Sequence, residues 1–323
     1  YQSSNSWNTA TMRLNIFMKI GICTSLLGPK EYTSLLEPYI EKNYKSYCDK
    51  NGYGYKCFTE PLMDLNIPQW DTCKEAGMIV GCWQKPSAIL EMFKDGYDYV
   101  VFTDADMFFI DTDQKVEGLI NDDSDIYITG DVRDVATSCT LIVKNSDWSK
   151  KFLKMWAEYE KQISPAVYNA FSSVTTHLFM NSAGQTRLID QPCLNILLAS
   201  GKVLPEEEWF NAFNSINLFE GNRFRQHNSS THSPYKRENI ERAYTLIHPK
   251  LRDHVGILEQ SRVWVHANVL RDTNTEHIQS IVQGGIVPLL AHFNSPEDKK
   301  SVGKFLSEFE LSSVLSCVTE IGR

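Results

Sequence analysis

The sequence predicts an α/β fold, with a mostly parallel central sheet flanked by helices, and three observations predict it. First, the apolar segment KIGICTS, a helical stretch and the short run YGYKCFT follow one another as strand, helix and strand. Second, a helical pattern opened at Pro86 and stopped at Gly96 leads directly into Tyr97-Asp98-Tyr99-Val100-Val101-Phe102. Third, that run is continuously apolar at its core rather than alternating, as in a strand covered on both faces of a sheet.

Ordered pattern begins at Met18. In the stretch after KIGICTS, Ile40, Tyr44 and Tyr47 recur near helical period, which predicts a helix from about Pro38 to a stop at Gly52. Pro86 suits a first helical turn, and Ile89, Leu90 and Phe93 form one apolar face. The strand that follows ends in Thr103-Asp104-Ala105-Asp106 and then Met107-Phe108-Phe109-Ile110. DIYIT (125–129) and SCTLIV (138–143) read as strands. Asn145 or Ser146 caps a helix with Trp148, Phe152, Met155 and Tyr159 on its apolar face. Asp190 caps another, carrying Leu194, Leu197 and Leu198 and ending at Gly201. Residues 220–262 read as a long polar loop region, and VWVHANV (263–269) as a last short strand. From about 276 the chain turns helical near its end and carries no motif. No internal repeat or low-complexity segment is present. The expected organisation is a tail or stem remnant over 1–17, one domain over 18–275, and a partly helical C-terminal extension over 276–323.

A net charge of −8 argues against a nucleic-acid partner, which requires clustered Lys and Arg. If such a chain handles an anionic nucleotide, it must recruit local positive charge, and a metal ion is one source. The eight cysteines form no C-x-x-C pair and no zinc spacing, so small buried hydrophobes are the plain reading for those in apolar runs. No apolar run reaches the roughly 20 residues of a membrane helix. The first 17 residues lack the basic-then-apolar order of a signal peptide. The single sequon at Asn228 does not place the chain in the secretory pathway. The compartment stays open between the cytoplasm and, if an N-terminal anchor has been removed, the Golgi lumen.

The chemistry concentrates at Asp104 and Asp106. Ligands of a parallel α/β sheet bind beyond the carboxyl ends of the strands, where this pair sits. Two carboxylates leaving a buried strand need a cation to neutralise them. An ordinary solvated turn would not be flanked by apolar residues on both sides. His266 interrupts VWVHANV and points into a core or a site. Taken alone, it reads as a hydrogen-bonded core histidine. With the Asp pair it completes a three-ligand set of two carboxylates and an imidazole, which suits Mn²⁺ better than Mg²⁺. Arg271, five residues on, stands as a solvated loop residue or as a cation for a departing diphosphate. Lys85 is a weaker candidate of the same kind. Asp190 and Gln191, at a helix start, read as an N-cap or as a pair facing a sugar. The other histidines (177, 227, 232, 248, 254, 277 and 292) read as structural or exposed.

These motifs together resemble nucleotide-diphospho-sugar transferases of the GT-A fold, a single Rossmann-like domain. The carriers are T-S-L (24–26), K-P-x-x-I-L (85–90) and the strand-and-turn run Y-V-V-F-T-D-A-D-M-F-F-I-D (99–111). In order, the chain resembles glycosyltransferase family 34, the retaining galactosyl-, mannosyl- and xylosyltransferases. TGD (129–131), LIVKNSDWS (141–149), IDQ (189–191) and VHANVLR (265–271) fall where that family has its own motifs. The resemblance implies Mn²⁺ held by Asp104, Asp106 and His266, with Arg271 on the diphosphate. It places Thr24, Ser25 and Lys85 in donor binding, and Asp190 and Gln191 at the reaction centre. It also implies a nucleotide-sugar donor, UDP-linked, and a glycan acceptor. Two departures stand out: Thr137-Ser138-Cys139 replaces the family's N-T-G, and Ile189 replaces the first Asp of D-D-Q. An inverting transferase and an inactive nucleotide-binding module are the rival readings. A D-x-D phosphohydrolase is disfavoured, because Phe108 stands where that pattern needs Thr or Val. The sugar, the linkage and the oligomeric state have no motif.

Overall fold

Burial of continuous apolar runs builds the sheet. The computed structural model describes residues 18–28, 30–63, 81–120, 122–130, 136–162, 190–205, 208, 244–266, 288–293 and 296–308. The first strand, β1 (Ile20–Ser25), is buried at every position. Helix α1 (Lys30–Asn51) turns Leu36, Ile40, Tyr44, Tyr47 and Cys48 inward. It begins well ahead of the start expected at Pro38 and runs through that proline. A proline there forfeits one backbone bond. The stripe from Leu36 to Tyr47 is continuous on one face, and its burial carries the helix across. Gly52 ends it at φ 75° and leads into β2 (Gly54–Phe58).

Helix α2 (Lys85–Lys94) has Pro86 in its first turn, and the chain leaves it through Gly96 at φ 76°. Strand β3 (Tyr99–Thr103) is wholly buried, with its side chains split between two cores. Val100 and Phe102 pack with α2, whereas Tyr99 and Val101 join the core formed with α1. A short strand, β4 (Met107–Phe109), follows the Asp turn. Strands β5 (Ile126–Gly130) and β6 (Ala136–Lys144) pair antiparallel. Helix α3 (Asp147–Gln162) is capped by a reciprocal box: Ser149 N donates to Ser146 Oγ and Ser146 N to Ser149 Oγ, each at 3.1 Å. Helix α4 (Asp190–Ser200) is a core helix, with Cys193, Leu194, Ile196, Leu197 and Leu198 all buried.

The chain then adds β7 (Val255–Leu258), α5 (Gln260–Val263), β8 (Trp264–His266), β9 (Leu290–His292), α6 (Pro296–Lys300) and α7 (Val302–Glu308). Strand β7 lies inside the stretch expected to be loop. Four residues are too few for a periodic signal, and pairing with β5 is what defines it. The main sheet has the order β2-β1-β3-β6-β5-β7, and β6 alone runs against the others. This is the mostly parallel, helix-flanked sheet the sequence predicts. A second sheet, β4-β9-β8, draws its middle strand from the stretch expected as a C-terminal extension. The Asp104–Asp106 turn is therefore the link between the two sheets. Among the described residues, no helix is long and apolar enough to cross a membrane.

Candidate functional site

Strand β3 spends its apolar length in the core and delivers Asp104 at its carboxyl end. Asp104 N donates to Cys139 O on β6 at 2.8 Å, so the turn starts on the sheet ladder. Met107 N donates to Asp104 O at 3.1 Å and closes the turn, while Phe293 N donates to Asp106 O at 2.8 Å. Both carboxylates leave a rigid frame, tied to the main sheet on one side and to the second sheet on the other.

Each carboxylate has its own cation. Lys85 Nζ lies 2.9 Å from Asp104 Oδ1 and 3.0 Å from Asp190 Oδ2. It also donates to Ser138 O at 3.1 Å and Ser138 Oγ at 3.0 Å. An ammonium this deeply buried is costly unless paired and hydrogen-bonded, and Lys85 is both. Burial opposes its charge, but Asp104 and Asp190 outweigh it and push the ammonium well above its ordinary range. Asp104 moves the other way from a free carboxylate. Burial, joined by the like charges of Asp106 and Asp190, raises it to about 6 against the pull of Lys85. Lys85 thus ties the Asp turn to the first residue of α4, instead of standing in solvent as a loose phosphate-binding cation.

Asp106 faces the opposite way. Lys299 Nζ on α6 is 2.7 Å from its Oδ2 and also donates to Phe293 O at 3.0 Å. His292 Nε2, at the end of β9, is 3.4 Å from Asp106 Oδ1, and Trp264 meets the His292 ring edge-on at 5.3 Å. Burial alone would raise the Asp106 carboxyl, but His292 and Lys299 hold it well below the usual carboxylate range. The sequence alone marks His292 as structural or exposed and does not single out Lys299. The sequence signal for both is the one used for VHANVLR: a histidine closing an apolar run, here VPLLAHF, with a cation a few residues on.

The remaining expected residues fall as follows. Asp190 is buried at the start of α4, and its backbone carbonyl accepts from Trp156 Nε1 at 3.0 Å. Gln191 Oε1 accepts from Ser138 N at 3.1 Å. Asn195, one turn on, reads both backbone groups of Ala136, with Ala136 N to Oδ1 at 2.7 Å and Nδ2 to Ala136 O at 2.9 Å. The start of β6, from Ala136 to Ser138, is thus fastened to α4 by two amide side chains, a support that sequence pattern does not show. Thr24 and Ser25 lie buried at the carboxyl end of β1, one strand over from Asp104. The His266 backbone closes β8 in register with His292, while its side chain and Arg271 lie outside the described residues. Burial, and then the charge of Asp190, push the Cys82 thiol well above its usual range.

Among the described residues, no three His, Cys, Asp or Glu side chains are already drawn together around a point that would hold a metal. Asp104 leans to Lys85, and Asp106 to Lys299. The donor chemistry nonetheless fits a divalent ion. Two carboxylates stand on one turn, an imidazole nitrogen lies 3.4 Å from one of them, and Asp106 is held in its ionised form.

Comparison with known proteins gives three kinds of finding. Residues 45–201 match the family described as "Protein of unknown function, DUF273". No curated protein matches the chain. Three of the solved structures it is similar to are glycosyltransferases. One is a glycosyltransferase involved in the glycosylation of the major capsid of PBCV-1, at 9% identity and TM-score 0.46, covering 88% of this chain and 99% of that one. Another is the glycosyltransferase GlyE of Streptococcus pneumoniae TIGR4, at 10% identity and TM-score 0.35, covering 93% and 63%. A third is the galactosyltransferase LgtC in complex with donor and acceptor sugar analogues, at 10% identity and TM-score 0.32, covering 86% and 88%.

Proposed function

We propose that this chain is a metal-dependent glycosyltransferase that moves a sugar of the galactose, xylose or mannose class from a UDP-linked donor to a glycan hydroxyl, with retention. The observation that carries the reading is the Asp104–Asp106 turn at the carboxyl end of β3. It is flanked by Lys85 and Asp190 on one side and by His292 and Lys299 on the other. Such a site offers oxygen and nitrogen donors for a cation and further cations for phosphate oxygens. It also holds a buried carboxylate a short way along the same edge.

Asp104, Asp106 and an imidazole would hold Mn²⁺, which when bound supplies charge to neutralise the diphosphate of the departing nucleotide. His292 is the imidazole that the distance to Asp106 favours, and His266, at the paired register position, is the second candidate. Lys299 and Arg271 are the cations that would meet phosphate oxygens. Thr24 and Ser25, at the neighbouring strand end, would line the nucleotide side. Asp190 is ion-paired and buried, which suits electrostatic support of an oxocarbenium-like centre better than proton abstraction from a solvated acceptor. Gln191 sets the position of Ser138 next to it.

Retention places the incoming hydroxyl on the face the diphosphate leaves, so no carboxylate base is needed on the far face. Asp190→Ala should reduce turnover roughly 10²-fold, the scale of losing one transition-state contact, with donor affinity little changed. Released UDP reports the rate, and NMR of the product's anomeric proton reports the stereochemistry. A β-linked product from an α-linked donor would overturn retention. Mn²⁺-dependent UDP binding without donor turnover would instead make the chain a binding module.

A further inference from the structure

We infer that Tyr44 is a positioning residue for the carboxylate turn: from the middle of α1, its hydroxyl holds the carbonyls of Asp104 and Met107, which bracket Asp106. The inference rests on the reading of that turn as a cation site, and its test separates the two. The Tyr44 side chain is fully buried, and its hydroxyl lies 2.5 Å from Thr103 Oγ1, 2.7 Å from Met107 O and 3.2 Å from Asp104 O. A hydroxyl has one proton to give and two lone pairs to receive. Tyr44 therefore donates to Met107 O, with Asp104 O as the longer second acceptor, and accepts from Thr103. Those two carbonyls bracket the turn, so one side chain spans both of its ends.

The neighbouring residue extends the grip. Asn43 Nδ2 donates to Phe109 O at 3.0 Å, and Phe109 N donates to Asn43 Oδ1 at 2.8 Å. The amide thus pairs with the edge of β4 that β9 leaves open. The Tyr44 ring meets Phe109 edge-on at 5.1 Å. Helix α1 therefore holds the turn through directed hydrogen bonds as well as apolar packing. The spacing of two carboxylates on one turn follows from its peptide units, and metal affinity is sensitive to shifts of about half an ångström in such spacing.

Tyr47 supplies the control. It lies on the same helix, is fully buried and stacks on Phe109 at 3.9 Å. Its hydroxyl donates to Gln114 O at 2.8 Å, beyond the turn. Tyr44→Phe and Tyr47→Phe therefore remove the same group from the same helix, but only the first touches the turn. Mn²⁺ affinity would be read by EPR titration of the free ion. Amide exchange over residues 103–108 of the metal-free protein would be read by mass spectrometry.

Tyr44→Phe should weaken Mn²⁺ binding and speed exchange there by about tenfold each, the size of one net buried hydrogen bond. Tyr47→Phe should change either by less than about twofold, although both variants lower the melting temperature. Equal effects of the two variants, or an unchanged exchange rate in Tyr44→Phe, would overturn the inference. A wild-type protein that binds no Mn²⁺ would sink the cation reading, and the exchange comparison alone would then decide for or against Tyr44.

Discussion

Lys85 is a buried cation shared by two carboxylates, and that arrangement has a definite energetic consequence. Removing the ammonium leaves Asp190 buried and unpaired and deprives Asp104 of its counter-charge. Breaking one side of a buried pair costs about 3–5 kcal/mol. Lys85→Met should accordingly lose roughly 3 kcal/mol in urea denaturation. Adding Asp190→Asn should recover part of that loss, because the uncompensated charge disappears with it. Strict additivity of the two changes would contradict the coupling. At this scale the sequence was informative where local context was unusual. Asp104 and Asp106 stood out because an apolar run precedes them and MFFI follows. The role of Lys85 did not stand out. Nothing local to K-P-x-x-I-L says that its ammonium meets a carboxylate more than a hundred residues on, since only the fold brings α4 to it.

Elements divide in the same way. Helix α3 shows in its sequence because a cap and an apolar face coincide. Ser146 and Ser149 exchange backbone bonds, and Ser146 Oγ also bonds Asp125 Oδ1. Ser146→Ala should cost about 1 kcal/mol of stability, a typical N-cap loss, and leave Mn²⁺ affinity unchanged because the helix start lies away from the Asp turn. A denaturation midpoint identical to wild type would refute the cap. The periodic signal of Ile40, Tyr44 and Tyr47 begins only after Pro38, yet burial of Leu36 extends the helix ahead of that proline. Strands β7 and β9 span four and three residues, too short for a period to declare itself. Their identity comes from partners, β5 for one and β4 with β8 for the other. That is also why the local pattern at VPLLAHF is weak evidence for His292 and Lys299: their strand and helix become recognisable only once paired and packed.

For the whole molecule, the essential feature is a junction between two sheets. In the main sheet β3 ends just before Asp104, in the second sheet β4 begins just after Asp106, and Trp264 Nε1 reaches Thr129 Oγ1 across them at 3.3 Å. Charge is drawn to this junction from distant parts of the chain, with Lys85 and Asp190 on one flank and His292 and Lys299 on the other. The acidic chain carries a net charge of −8, so a nucleotide diphosphate would be attracted by this local arrangement and not by the overall field. On the proposed function, the junction binds a nucleotide diphosphate through a divalent ion on Asp106. Isothermal titration of UDP into wild type and Asp106→Ala, each with Mn²⁺ and with EDTA, tests it most directly. The account predicts binding to wild type with Mn²⁺ only, and none to the variant in either condition. Binding of equal strength in EDTA, or undiminished Mn²⁺-dependent binding by Asp106→Ala, would contradict it.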